Sequence, residues 1–114
     1  MANRYARSKR WGRDVENRAL AILHEVWPKM KRTGSVAYTK AAADLITPNK
    51  DVVVQVKGRQ QTWVGSLLRA LKEVEPDARI HLVITQDKHS APLVTLDLAL
   101  FTRIVNVREA AWED

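Results

Sequence analysis

The sequence predicts a single α/β domain in which helices flank a mixed β-sheet, and three observations carry that expectation. Two segments have helical periodicity: Val15, Ala19, Ile22, Leu23, Val26 and Met30 share one helix face, and Val64, Leu67, Leu68, Leu71 and Val74 share another. Residues 51–57 (DVVVQVK) and 80–85 (IHLVIT) are β-branched runs of the kind a sheet buries. The second helix lies between those strands, and a strand–helix–strand crossover favours parallel pairing for that part of the sheet. A chain of 114 residues, 46% of them apolar, has room for one core of this kind.

Taken in order, residues 1–12 read as a flexible basic arm and 13–114 as the folded domain. The first helix starts at Asp14, a plausible N-cap, and Pro28 ends or kinks it. Residues 34–38 and 43–47 are expected as short strands, the second leading through the turn Pro48-Asn49-Lys50 into strand 51–57, which Gly58 stops. A second helix follows, carrying the apolar stripe from Val64 to Val74, and is closed by Pro76 before strand 80–85. Residues 92–94 are expected to be extended, with Thr95 capping a short helix through Phe101. A last strand over 104–107 and a frayed helical tail over 108–114 complete the expectation.

Composition removes several function classes. Zero cysteines exclude disulfide scaffolds, thiolate zinc sites and cysteine nucleophiles. No uncharged stretch approaches the about 18 residues of a membrane helix, and the N-terminal MANRYARSKRWGRD lacks the apolar core of a signal peptide. The expected location is cytoplasmic, in a prokaryotic cell or a phage-infected host, with no membrane partner. The net charge of +6 is unevenly placed: residues 1–13 carry +5 and residues 29–59 another +5, while the other two stretches are negative. Concentrated positive charge captures polyanions, most simply phosphate backbones. Arg4, Arg7, Lys9, Arg10 and Arg13 in the first cluster, with Lys31, Arg32, Lys40 and Arg59 in the second, are the candidate backbone contacts. Tyr5 and Trp11 stand among the first group, where rings can stack on bases.

Side chains alternate faces along the DVVVQVK strand. Val52, Val54 and Val56 are expected to face a core, and Val53, Gln55 and Lys57 the opposite side. Gln and Lys two apart on an apolar strand are out of character, because an unpartnered buried lysine is costly. If the two strands form a hairpin about the Pro48-Asn49-Lys50 turn, Asp44 lies beside Gln55 and Lys57, and Glu16 in the first turn of the first helix can add a second carboxylate. Oxygen ligands with a lysine beside them suit metal-assisted phosphodiester cleavage: a hard divalent ion polarises the phosphate, and the amine assists the attacking water or offsets developing charge.

The order Glu16, Asp44, then Gln55-Val56-Lys57 resembles the PD-(D/E)XK nuclease superfamily, whose fold is restriction-endonuclease-like. Within it, the basic arm, a helix carrying Glu, a Gly-Ser loop and two site-bearing strands are similar to archaeal and phage Holliday junction resolvases. The matching stretch runs from about residue 13 to about residue 74. The resemblance implies catalytic roles for Glu16, Asp44, Gln55 and Lys57, and a Mg²⁺ ion held by Glu16, Asp44, Gln55 and the Val56 carbonyl. It also places Ser35 near the scissile phosphate and implies a homodimer on branched DNA. Two departures stand out: Ala43 precedes Asp44 where the pattern has Pro, and Gln55 replaces an acid. Two carboxylates instead of three imply weaker metal affinity, with Mn²⁺ as the alternative ion. Nucleases for flaps, nicked or damaged duplex, and a catalytically weakened DNA-binding module, are the rival readings. Taken singly, each site residue also has an ordinary explanation: a turn acid at Asp44, a strand-end lysine at Lys57, a helix-dipole acid at Glu16. His24 and His81 read as structural, His89 as surface, and Trp27 and Trp63 as core or interface.

Overall fold

The computed structural model describes residues 4–33, 43–59 and 63–112, with side chains described over 10–33, 43–59 and 63–106. Helix α1 (Arg4–Leu23) leads to strands β1 (Lys31–Arg32), β2 (Leu45–Ile46) and β3 (Val52–Lys57). Helix α2 (Val64–Val74), β4 (Ile80–Thr85), β5 (Leu93–Thr95) and helix α3 (Leu98–Trp112) follow. The strands form one mixed sheet in the order β1-β2-β3-β4-β5, antiparallel except for β3 and β4, which run parallel from Val52↔Ile80 to Lys57↔Thr85. The parallel pair is the one joined through α2, as the crossover requires.

Alternation along β3 divides the core in two. Val52, Val54 and Val56 pack with Val15 and Ala19 of α1 and with Leu82 and Ile84, while Val53 packs with Leu71 of α2 and Ala43. Helices therefore cover both faces of β3, and its apolar run is continuous for that reason. The hairpin register is set by its turn. The Lys50 N–H donates to the Thr47 carbonyl (2.9 Å) and Lys50 takes the left-handed φ of 61°. Asn49 Oδ1 accepts from Thr47 Oγ1 (2.8 Å) and from the Asp51 N–H (3.1 Å). Thr47 Oγ1 in turn accepts the Val52 N–H at 3.1 Å. These bonds fix Leu45 opposite Val54 and Ile46 opposite Val53, and so decide what the residue before Leu45 meets.

Three elements differ from the sequence expectation. Helix α1 begins at Arg4 rather than Asp14, because Arg, Ala and Lys are strong helix formers and nothing before Gly12 breaks the chain. Trp11 then ties it down: the indole N–H donates to the Gly58 carbonyl, and the Arg18 guanidinium lies 5.5 Å from the ring centroid. Asp14 is accordingly a mid-helix residue and not a cap. The helix also ends earlier, at Leu23, where the His24 imidazole N–H donates to the Met30 carbonyl (2.7 Å) and turns the chain ahead of Pro28. The strand expected at 104–107 is helical, part of one continuous α3. Leu98, Phe101 and Ile104 recur at helical spacing with no Gly or Pro between them, which outweighs the β-branched pair Ile104-Val105. Thr95 belongs to β5, and the first helical N–H bond runs from Phe101 to the Asp97 carbonyl (3.0 Å). The strand expected at 34–38 lies outside the described residues. His81 is structural, its Nε2–H donating to the Glu75 carbonyl at 2.6 Å. Trp27 packs against the core, whereas Trp63 is 68% exposed and is not a core residue.

Candidate active site

The sheet ladder places Asp44. Leu45 faces Val54 and the Thr47 N–H bonds the Val52 carbonyl (3.1 Å), so continued pairing would bring the Val56 N–H to the carbonyl of residue 43. The chain bends instead. The Asp44 N–H bonds the Val54 carbonyl at 2.8 Å, as in a β-bulge, and the Asp44 carboxylate (Oδ2) accepts the Val56 N–H at 2.7 Å. The displaced Ala43 carbonyl accepts from Thr33 Oγ1 at 2.8 Å. One carboxylate oxygen is thereby held against the backbone of the Gln55-Val56-Lys57 segment.

Glu16 arrives from the other layer. Val15 and Ala19 of α1 are buried against the sheet, and Glu16, one residue round from Val15, is half-buried. Because α1 begins at Arg4, Glu16 lies well inside the helix rather than in its first turn, and the helix-dipole explanation for it fails. Strand β1 brings a residue whose place the sequence did not reveal. Arg32 Nη2 lies 2.9 Å from Glu16 Oε2, and the β1–β2 register, Arg32↔Leu45, carries it to the same edge.

Burial and neighbouring charge act on both acids. Burial pushes the Glu16 carboxyl above its usual value and the Asp44 charge adds to that, while Arg32 and Arg13 pull the other way. Burial likewise raises Asp44, against the opposing pull of the Val56 N–H, Lys57 and Arg32. Gln55 is 2% exposed on β3 and contributes an amide without charge. Glu16 and Lys57 thus lie within electrostatic reach of Asp44, and Val56 enters through its N–H; Gln55 shares the β3 face of Val53, the face packed against α2. Among the described residues no three His, Cys, Asp or Glu side chains assemble into a metal-binding group; the acids present here are the two carboxylates of Glu16 and Asp44.

The expected DNA contacts fall into three groups. Arg10 and Arg13 on α1, Lys31 and Arg32 on β1, and Arg59 just past β3 are exposed. Arg4, Arg7 and Lys9 have helical backbone in α1, with side chains outside the described residues, and Ser35 and Lys40 lie outside them altogether. The part of Arg32 in the acidic pair was not legible, because a two-residue edge strand has no periodicity to read. The sequence signal was its place in the second basic cluster. The chain matches no family model, no curated protein and no solved structure.

The raised carboxyls make a stability prediction. A carboxyl with a higher pKa folded than unfolded makes the native state the better proton binder. Its favourable effect is greatest below the unfolded value of about 4 and is lost as pH rises through the raised folded value. Above that range the Asp44 charge costs stability. Asp44→Asn keeps an acceptor for the Val56 N–H and removes the charge, so the variant should melt about 2–5 °C above wild type at pH 7, with the gap closing toward pH 4. Thermal melts across that range read it directly. A variant that melts lower at pH 7 would make Asp44 an ordinary structural acid.

Proposed function

We propose that the chain is a Mg²⁺- or Mn²⁺-dependent, structure-selective DNA endonuclease of restriction-endonuclease-like arrangement, acting on four-way junctions as a Holliday junction resolvase. The observation that carries this reading is the Asp44 carboxylate at the bulged end of β2, held by the Val56 N–H and within electrostatic reach of Glu16 from α1 and Lys57 from β3. The two carboxylates are held partly buried, at a cost in charge desolvation that a purely structural role does not call for.

The donor set is all oxygen, which fits a hard divalent cation. Glu16, Asp44 and Gln55 would hold it, and bound there it supplies Lewis-acid polarisation of a phosphate and a more acidic water. The chain's own residues do the rest. The Val56 N–H fixes one Asp44 oxygen and so orients the other. Lys57, whose charge acts on Asp44, orients the attacking water or offsets charge developing on the phosphate. Exposed Arg10, Arg13, Lys31 and Arg59 grip the phosphate backbone, reading shape rather than base sequence. Two strands cut symmetrically call for a two-fold homodimer.

The test compares cleavage of a four-way junction with matched linear duplex in Mg²⁺ and Mn²⁺, together with the mass of the free protein in solution. Junction-selective cutting by a dimer is expected. Equal cutting of both substrates would move the reading to a nuclease for flaps, nicked or damaged duplex. No metal-dependent nicking of any DNA would leave a binding module, a reading that the neutral Gln55 favours.

The long basic helix gives a separate expectation. Substituting Arg4, Arg7 and Arg10 together by Gln should weaken DNA binding and flatten its salt dependence by about 0.9 in slope for each phosphate no longer neutralised. Anisotropy titrations at several salt concentrations measure it, and an unchanged slope would show the helix end to be idle.

A further inference from the structure

Two carboxylates at close quarters need a cation. Here that cation is the guanidinium of Arg32, 2.9 Å from Glu16 and close enough to Asp44 for its charge to act there as well. Lys57 supplies a second positive charge to the same acid, and Gln55 supplies none. Against the two carboxylates stand the charges of Arg32, Lys57 and, acting on Glu16, Arg13, so the site offers a divalent ion no net attraction while Arg32 stays in place.

The two partners are unequally exposed. The Arg32 side chain is 42% exposed and the Glu16 side chain 21%. Arg32 belongs to a two-residue strand at the sheet edge, with both of its residues exposed. Glu16 is carried by a helix whose neighbouring residues Val15 and Ala19 are buried. If the pair opens, the guanidinium moves outward by rotating its own side chain, and the carboxylate stays. Outside the site, Arg32 stands next to Lys31 on a positively charged edge. A guanidinium released there meets a phosphate with the bidentate geometry it also offers a carboxylate.

We propose that Arg32 is a displaceable counter-ion: it neutralises Glu16 while no metal is bound, and it passes to a backbone phosphate of bound DNA when a divalent ion takes the two carboxylates. The inference rests on the metal-dependent reading of this site and adds regulation to it. Metal without DNA must compete with a guanidinium, whereas metal with DNA does not. By linkage, DNA tightens metal binding and metal tightens DNA binding by the same factor. The arrangement withholds the two carboxylates from a divalent ion until a substrate phosphate arrives.

Mn²⁺ binding to the full chain without DNA, followed calorimetrically, tests the device. Arg32→Gln should tighten Mn²⁺ about five- to ten-fold, Arg32→Lys should fall between it and wild type, and Lys88→Ala, a charge loss on an exposed loop, should change nothing. Adding Asp44→Asn to Arg32→Gln should abolish the gain. DNA affinity measured in the Lys57→Ala background, with and without Mn²⁺, gives the second readout: the strengthening by Mn²⁺ should be smaller with Arg32→Gln, and an equal strengthening overturns the handover to phosphate. If wild type binds Mn²⁺ through Asp44 but Arg32→Gln binds it no tighter, the counter-ion role is overturned and the metal site stands. If neither protein binds Mn²⁺, both fail. Thermal melts confirm that each variant is folded, which an exposed edge position makes the expected result.

Discussion

Asp44→Asn is expected to lower metal-dependent strand cleavage by about 10²–10⁴-fold while the protein remains folded and melts higher than wild type. The two effects have one origin. The Asp44 carboxylate is held above its ordinary pKa by burial, so its charge opposes folding near neutral pH. The same charge is what a divalent ion would bind. The asparagine amide still accepts the Val56 N–H, so the bulge survives and a fall in activity cannot be assigned to a damaged fold. Lys57→Ala should match it in activity, about 10²–10⁴-fold down, because an amine beside the reacting phosphate works on the chemical step. Its effect on junction affinity should be no more than that of removing one cation from the phosphate backbone. Single-turnover cleavage, with binding measured separately, divides the two effects. An Asp44→Asn protein that cuts as fast as wild type would remove Asp44 from the site.

Gly58→Ala is the second large effect, and it acts on stability and DNA binding together. A Cβ at Gly58 would come 2.9 Å from Trp11 Cδ1 and 3.2 Å from Trp11 Nε1, closer than packed atoms tolerate. Either the indole moves, breaking its bond to the Gly58 carbonyl, or the end of β3 moves, carrying Lys57 with it. Overpacking of this kind costs about 1–3 kcal/mol, or roughly 4–8 °C in Tm per kcal/mol for a domain near this size. Trp11 is the first residue of α1, among those with described side chains, to pack against the core. Loosening it should therefore free the basic turns before it and weaken DNA binding as well. The double variant Trp11→Ala/Gly58→Ala separates the causes: with no ring to meet, the alanine at 58 should add little to the destabilisation from Trp11→Ala alone. Strict additivity of the two would show that they do not interact.

How much of the fold and site is legible in the chain depends on the range of the interaction involved. Strand 80–85 is readable to the residue and the second helix by its apolar stripe, since each rests on local periodicity bounded by Pro, Gly or a turn. The facing of Val52, Val54 and Val56 toward one core, and of Val53 toward the other, also follows from alternation alone. The pairing of Asp44 with the Gln55-Val56-Lys57 segment is readable because one short turn joins them, which leaves few registers open. Helix α3 differs from the expected helix-then-strand because Ile104-Val105 suits either state locally. The start of α1 differs because Asp14 is a good cap in sequence, and the contact that extends the helix, Trp11 to Gly58, spans 47 residues.

The sequence by itself determined the α/β class, the parallel β3–β4 core, the placing of Asp44 at the hairpin end and the concentration of positive charge near the site. Local spacing and composition carry all of these. Three features come from packing instead: Glu16 within electrostatic reach of Asp44, Arg32 closed on Glu16, and Trp11 locking α1 onto the end of β3. Each of those depends on where one element comes to rest on another. That is set by burying Val15 and Ala19 against β3 and by pairing β1 to β2, and packing of this kind leaves no trace in the order of neighbouring residues.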